Sequence, residues 1–199
     1  VVHLIRHGEV YNPDAIRYGR LAGYRLSSRG RKQARAAASY LQSLRRPIAA
    51  IFSSPLERAA ETASILGDVL SLPVATDPRL LESATRFDGL PKLAVLWPKL
   101  WPRFWNPFRP SWGESFESIT SRMRAVIDQA RTNHAGASIV LVSHQAPIWI
   151  TRHSYEASGP PWLSRVRCTQ ASVTSLCFSD DNFERCAYWA PTQLPPLVR

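Results

Sequence analysis

Two histidines in this chain stand directly after short apolar runs. Val1 to Ile5 leads into Arg6-His7-Gly8-Glu9, and Ser138-Ile139-Val140-Leu141-Val142 leads into Ser143-His144. Runs of this length and composition read as buried strands, and in open α/β sheets ligands sit beyond the carboxyl ends of the strands. A third run, Ile48 to Phe52, is followed at once by Ser53-Ser54-Pro55-Leu56-Glu57-Arg58, and a fourth, Pro73 to Ala75, leads on to Leu80-Leu81-Glu82. If these strands are parallel, one sheet edge collects two imidazoles, two guanidiniums and a carboxyl group. Arginines bind phosphate through planar, charge-assisted hydrogen bonds. A neutral imidazole nitrogen can attack phosphorus. A carboxyl group can protonate a departing alkoxide and later take a proton from water. Cations around the phosphoryl group stabilise its charge in the transition state without a metal. On this reading His7 is a nucleophile and Arg6 holds an anion against it.

The elements between these points are legible from periodicity and punctuation. Ser28 can cap a helix running to about Leu44, with Ala34, Ala37, Ala38, Leu41 and Leu44 on one face, and Pro47 stops it. Ser54, Pro55 and Glu57 have the pattern of a capping box with proline at the first helical position, which starts a helix reaching about Leu70. Arg58 then projects from its first turn, where free N–H groups and the helix dipole already favour anions. Gly113-Glu114-Ser115 precedes a helix to about Asn133, striped by Phe116, Ile119, Met123, Val126, Ile127 and Ala130. A shorter helix is expected from Pro147 to about His153. Ser172 to Phe178 and Phe183 to Trp189 read as a closing hairpin around residues 179–182. The tail from Pro191 is proline-rich and irregular.

Two stretches break this pattern. Glu9 to Leu26 is long, polar and rich in turn formers; loops of that kind inside a domain are more often functional than not. It carries Arg17, Arg20 and Arg25, each read first as a solvated surface arginine and second as a contact to substrate. Residues 83–113 interleave Trp97, Trp101, Trp105 and Trp112 with five prolines, and Pro98 and Pro102 would break a continuous helix. Short turns forming a cap are expected there, either covering the core edges or acting as a substrate lid.

Composition narrows the class. The chain has 199 residues, 45% of them hydrophobic, enough for one well-buried core. A single domain over 1–199, with the cap as an insertion, is expected. No apolar run approaches the ~18–20 residues needed to span a bilayer. The chain begins on strand-like residues without a basic-then-apolar leader and without Met, and it is read as soluble and cytoplasmic. Cys168, Cys177 and Cys186 are odd in number and spaced by nine, which fits no zinc pattern; reduced thiols are expected. The net charge of +10 comes from scattered arginines rather than a Lys/Arg block. It reads as a basic solvated surface in preference to a nucleic-acid footprint.

Four pieces of the sequence, covering roughly residues 1 to 150, resemble the histidine phosphatase superfamily, the branch of phosphatases and cofactor-dependent phosphoglycerate mutases. They are Leu4-Ile5-Arg6-His7-Gly8-Glu9, then Ser53-Ser54-Pro55-Leu56-Glu57-Arg58-Ala59 with Glu61-Thr62-Ala63, then Leu80-Leu81-Glu82, then Val142-Ser143-His144. The resemblance implies a phosphoglycerate mutase-like three-layer α/β/α sandwich around a mostly parallel sheet. It implies that His7 becomes phosphorylated, that Glu82 is the acid/base, and that Arg6, Arg58 and His144 clamp the phosphoryl group. The family's phosphate-contacting asparagine lies one position further from the histidine than Asn12, which is carried over as a substrate-binding residue. The family's Gly-aromatic-Glu-Gly element is matched only loosely by Ser83 to Gly89, which leaves Asp88 as a second candidate acid. Glu114 is a third, although a capping or loop role suits it better. After His144, where the family has glycine, this chain has Gln145, which contacts substrate or braces the loop.

The expected function is therefore a metal-independent phosphatase acting on a small phosphomonoester, with no cofactor. The alternative within the family is a mutase that returns the phosphoryl group to substrate. Those mutases are longer and carry a Glu-Arg-His-Tyr-Gly element that is absent here. A non-catalytic basic binding protein on the same fold is the alternative from another class. The sequence leaves the natural substrate and the oligomeric state open.

Overall fold

Alternating side chains on four strands divide the core into two halves, one on each face of a single sheet. The computed structural model describes residues 1–91, 113–156, 168–179 and 182–191. Most of the expected cap, the 157–167 connection and the end of the tail lie outside the described residues. Six strands form the sheet: β1 (Val2–Arg6), β2 (Ile48–Ser53), β3 (Val74–Thr76), β4 (Ser138–Ser143), β5 (Val173–Ser179) and β6 (Asn182–Trp189). Their order is β3-β2-β4-β1-β5-β6. The first four are mutually parallel, while β5 runs antiparallel to β1 and β6 antiparallel to β5. The expected hairpin is thus the antiparallel margin of a mostly parallel sheet.

The helices are α1 (Ser28–Ser43), α2 (Glu57–Leu70), α3 (Phe116–Asn133) and α4 (Gln145–Glu156). Ile5, Ile51, Val140, Val142 and Val173 point to one face and pack with Ala37, Ala38 and Leu41 of α1 and Ala59, Ala63 and Leu66 of α2. Their neighbours Leu4, Ile139, Leu141 and Leu176 point the other way, to Ile119, Met123, Val126 and Ile127 of α3 and Ile148 and Ile150 of α4. Period-two alternation in the strands and helical stripes on both sides give the three layers. Each fully buried Leu, Ile or Met in these clusters contributes roughly 1.5–3 kcal/mol through its removal from water. Among the described residues, no helix is long and apolar enough to cross a membrane.

Three helix starts differ from expectation. The N-cap of α1 is Ser27, whose hydroxyl accepts from the Gly30 amide at 2.9 Å. α2 begins at Glu57 with Leu56 at its cap and no side-chain capping bond, so the expected box at Ser54 does not form. The Ser54 hydroxyl is 2.8 Å from a ring nitrogen of His144 instead, a stronger contact than its 3.4 Å approach to the Leu56 amide. α4 starts at Gln145, two residues early. Pro147 falls in its first turn, where a missing N–H leaves no hydrogen bond unmade.

Candidate active site

Strand register places the two histidines side by side. In the parallel β1–β4 pair, Arg6 is opposite Ser143, and the His7 amide donates to the Ser143 carbonyl at 3.1 Å. The next residue on each strand is therefore a histidine, and the two ring centres lie 5.2 Å apart. Ser53 of β2 is opposite Val142, and the Ser54 amide donates to the Val142 carbonyl, bringing the start of α2 to the same edge. This edge lies where the connections from neighbouring strands diverge, the usual ligand position in such sheets.

His7 is 2% exposed and held by its own loop. Its Nδ1 lies 2.7 Å from the Gly8 carbonyl, an acceptor only, so Nδ1 carries the proton and Nε2 keeps its lone pair. Burial, the Arg58 charge and the Arg6 charge push the His7 pKa well below its ordinary value, against the Gly8 carbonyl, which favours the proton. The Gly8 amide donates to the Thr62 hydroxyl of α2, which in turn donates to the Arg58 carbonyl at 2.7 Å. Gly8 and Gly30 meet backbone to backbone: a Cβ on Gly30 would lie 2.0 Å from the Glu9 carbonyl oxygen. Glu9 binds the start of α1, accepting from the Ser27 hydroxyl at 2.8 Å.

His144 is fully buried, with Nε2 on the Ser54 hydroxyl and Nδ1 without a partner among the described residues. Burial, then the neighbouring His7 and Arg58, hold it well below the ordinary imidazole pKa. Arg58, 1% exposed, has its guanidinium 4.8 Å from the centre of the Tyr18 ring and donates one N–H to the Gly19 carbonyl. Arg6 donates to the Cys168 carbonyl at 2.6 Å. Neither arginine forms an ion pair among the described residues, and the Nε atoms of both are buried without a partner there. Two guanidiniums and a histidine nitrogen thus retain hydrogen-bonding capacity at one sheet edge. A buried cation without an ion-pair partner is costly unless an anion joins it.

Glu82 follows the 3₁₀ turn Pro78–Leu80, and its carboxylate accepts from the Ser83 amide at 2.8 Å. Burial raises its pKa, with the Ser83 amide and the charges of Arg58 and Arg6 opposing. These charges connect Glu82 to the arginine pair. A carboxyl whose pKa is raised and an imidazole whose pKa is lowered, both facing the same arginine pair, are the pairing that acid–base chemistry requires. Among the described residues there is no group of three or more His, Cys, Asp and Glu side chains arranged to hold a metal ion.

The family model for the histidine phosphatase superfamily (branch 1) matches residues 2–189. The chain belongs to this superfamily. The uncharacterized protein Rv0525 of Mycobacterium tuberculosis (strain ATCC 25618 / H37Rv) is 43% identical over 199 residues, covering 97% of each chain. The probable phosphoglycerate mutase GpmB of Yersinia enterocolitica is 33% identical over 186 residues, covering 90% of this chain and 85% of its own. Among solved structures, mycobacterial glucosyl-3-phosphoglycerate phosphatase Rv2419c, in complex with VO3, superposes with a TM-score of 0.77 at 29% identity. It covers 95% of this chain and 98% of its own. The superfamily's fold, with a mixed six-stranded sheet, is the one expected from the four sequence pieces.

Of the residues singled out in the sequence, Arg6, His7, Arg58, Glu82 and His144 come together. Asn12 does not join them by any hydrogen bond described: its carboxamide donates to the Ile16 carbonyl at 2.8 Å and accepts from the Ile16 amide, closing a local turn. Asp88 accepts from the Arg20 amide at 2.9 Å and lies against Gly19. Glu114 is bound by Arg122 and Arg20, the loop role that suited it in the sequence. Arg25 is at the surface beside Glu57 and Glu61, and Gln145 is exposed. Sequence reasoning missed Tyr18, whose ring covers Arg58 and lies edge-on to His7 at 6.2 Å, and Ser54 as the partner of His144. A tyrosine in an aperiodic loop gives no signal of where its ring will settle, and a serine before a proline reads as a cap.

Proposed function

We propose that the chain is a phosphatase that hydrolyses a small phosphomonoester through a phosphohistidine at His7, without a metal ion. One observation carries this reading. A histidine with its Nε2 lone pair free stands beside the guanidiniums of Arg6 and Arg58, neither of which forms an ion pair among the described residues. In the first step the Nε2 lone pair attacks phosphorus as the bond to the ester oxygen breaks. Glu82 gives its proton to the departing alkoxide. Arg6, Arg58 and the Nδ1–H of His144 take up charge on the phosphoryl oxygens. In the second step the Glu82 carboxylate accepts a proton from water and the water oxygen attacks phosphorus. The P–N bond breaks, its electron pair returns to Nε2, and orthophosphate leaves. Asn12 uses one carboxamide N–H in its turn with Ile16, and the second N–H is the donor it would offer the phosphoryl oxygens.

The solved phosphatase relative acts on a glucosyl phosphoglycerate by its name, so phosphorylated sugars and sugar acids are the first substrates to test. A relative named a probable phosphoglycerate mutase makes transfer to a second substrate the competing reading. The deciding experiment is a phosphoenzyme trap with a ³²P-labelled ester and chelator present. The wild-type chain should carry an acid-labile label and release orthophosphate, and His7→Ala should do neither while remaining folded. Label passing to an added phosphoglycerate instead of to water would make it a mutase. Turnover by His7→Ala at the wild-type rate would end the covalent mechanism.

A further inference from the structure

Glu82 sits on a strap, residues 81–84, that has no regular secondary structure. Side chains from elsewhere hold it. The Arg20 Nε donates to the Glu82 carbonyl at 2.7 Å, and the Ser143 hydroxyl donates to the Leu80 carbonyl at 2.8 Å. Arg122 of α3 donates to the Arg79 carbonyl. The Ala84 amide approaches Glu114 Oε2 at 3.4 Å, and the Glu114 amide donates to the Ala84 carbonyl at 2.9 Å.

The two arginines in this set converge on Glu114. Arg122 binds both of its oxygens, Nε to Oε1 at 2.8 Å and Nη2 to Oε2 at 3.2 Å, while Arg20 Nη2 lies 3.1 Å from Oε2. The Ser118 hydroxyl completes Oε1 at 3.1 Å. The Glu114 side chain is 13% exposed. Burial would raise its pKa, but the Arg122 hydrogen bonds and charge outweigh that and keep it below the usual carboxylate range. A carboxylate with every acceptor direction occupied is suited to holding other groups rather than to proton exchange.

Arg20 extends the network into the active site. It is the residue after Gly19, whose carbonyl accepts from Arg58, and Tyr18 lies over the same guanidinium. One ionised side chain therefore fixes both the strap that carries the acid and the loop segment that abuts the phosphoryl-binding arginine. We propose that Glu114 is a positioning residue, acting through Arg20 and Arg122 to hold the Glu82 carboxyl on line with the leaving-group oxygen. The inference rests on the phosphatase reading above and on Glu82 as its acid.

The test compares two esters of different leaving-group demand. An alkyl phosphate such as β-glycerophosphate needs a proton on its departing oxygen; p-nitrophenyl phosphate does not. kcat/KM reports steps up to formation of the phosphoenzyme, so the comparison isolates proton donation. Well-placed acids contribute about 10²–10⁴-fold, so Glu114→Gln should lower kcat/KM for the alkyl ester at least ~10-fold more than for the aryl ester. Glu114→Asp, which keeps the charge, should recover part of that difference. Arg20→Gln, at a partly exposed position, gives the same selective loss on a smaller scale and serves if Glu114→Gln does not fold. An equal loss on both esters, or none, in the folded variants overturns the inference while leaving the phosphatase reading intact. A wild-type chain that forms no phosphohistidine on either ester overturns that reading, and this inference with it.

Discussion

The His7 ring works because of one carbonyl. With the Gly8 oxygen accepting from Nδ1, the nucleophilic nitrogen is chosen before any ligand arrives. Burial and the adjacent arginines keep the ring neutral well below its ordinary pKa of 6.5, whereas burial keeps Glu82 protonated above its ordinary 4.5. The signs decide the pH profile. His7 is active above its lowered pKa and Glu82 donates below its raised one, so kcat/KM for an alkyl ester should be bell-shaped, with His7 setting the acid limb. Its basic limb belongs to Glu82. Glu82→Gln should remove that limb and lower kcat/KM by about 10²–10⁴-fold, the usual contribution of a general acid. Asp88→Asn should change it only a few-fold, because Asp88 is occupied with the Arg20 amide. A silent Glu82→Gln would move the acid elsewhere.

Elements position these residues through register, and register was legible only in part. The two strand-end histidines were readable because a buried strand is an apolar run and its end is abrupt. Their adjacency depends on β4 inserting between β1 and β2, a choice of topology that no local pattern encodes. The Ser54 cap failed because a tertiary partner, His144, competes for the same hydroxyl. Tyr18, and the partners that Arg20 and Glu114 take, were hidden for the related reason that loop side chains find their contacts only once the chain is folded.

Gly30 shows the element scale most sharply. It lies in the first turn of α1, where alanine would be better by about 1 kcal/mol on helix propensity alone. Contact reverses the sign: the added Cβ would meet the Glu9 carbonyl oxygen at 2.0 Å and the Glu9 amide nitrogen at 2.8 Å, both backbone atoms that cannot swing aside. Overpacking of this kind typically costs about 1–3 kcal/mol. Gly30→Ala should therefore lower the urea midpoint, and it should also reduce turnover, since displacing Glu9 disturbs the Gly8 carbonyl that orients His7. Unchanged stability and activity would mean that the loop is not pressed onto α1 as described.

At the scale of the whole molecule, the same burial that tunes the site makes the fold acid-sensitive. His3, His7 and His144 all have lowered pKa values, His3 to about 4 by burial and then by the positive charges of the chain's amino terminus and Arg46. In the unfolded chain each titrates near the ordinary 6.5. Between the two values the unfolded chain binds more protons, so stability is fully present above about pH 6.5 and falls as pH drops towards the folded values. The raised Glu82 acts in the opposite sense, gaining stability as pH falls through its raised value, and so opposes the histidines. For His3 alone, linkage gives a loss of roughly 2 kcal/mol between pH 7 and pH 5. His3 is outside the active site: its Nδ1 lies 2.8 Å from the Ser175 hydroxyl across the β1–β5 pair. His3→Asn retains a polar partner for Ser175 and removes the titration. Its stability at pH 7 should drop, because a smaller side chain leaves space in the core, but its further loss on going to pH 5 should be smaller than the wild-type loss by about the 2 kcal/mol that linkage assigns. Urea unfolding of both chains at the two pH values measures this difference. Parallel losses would show that His3 takes its proton without unfolding, and that its burial between β1 and β5 does not govern the acid response.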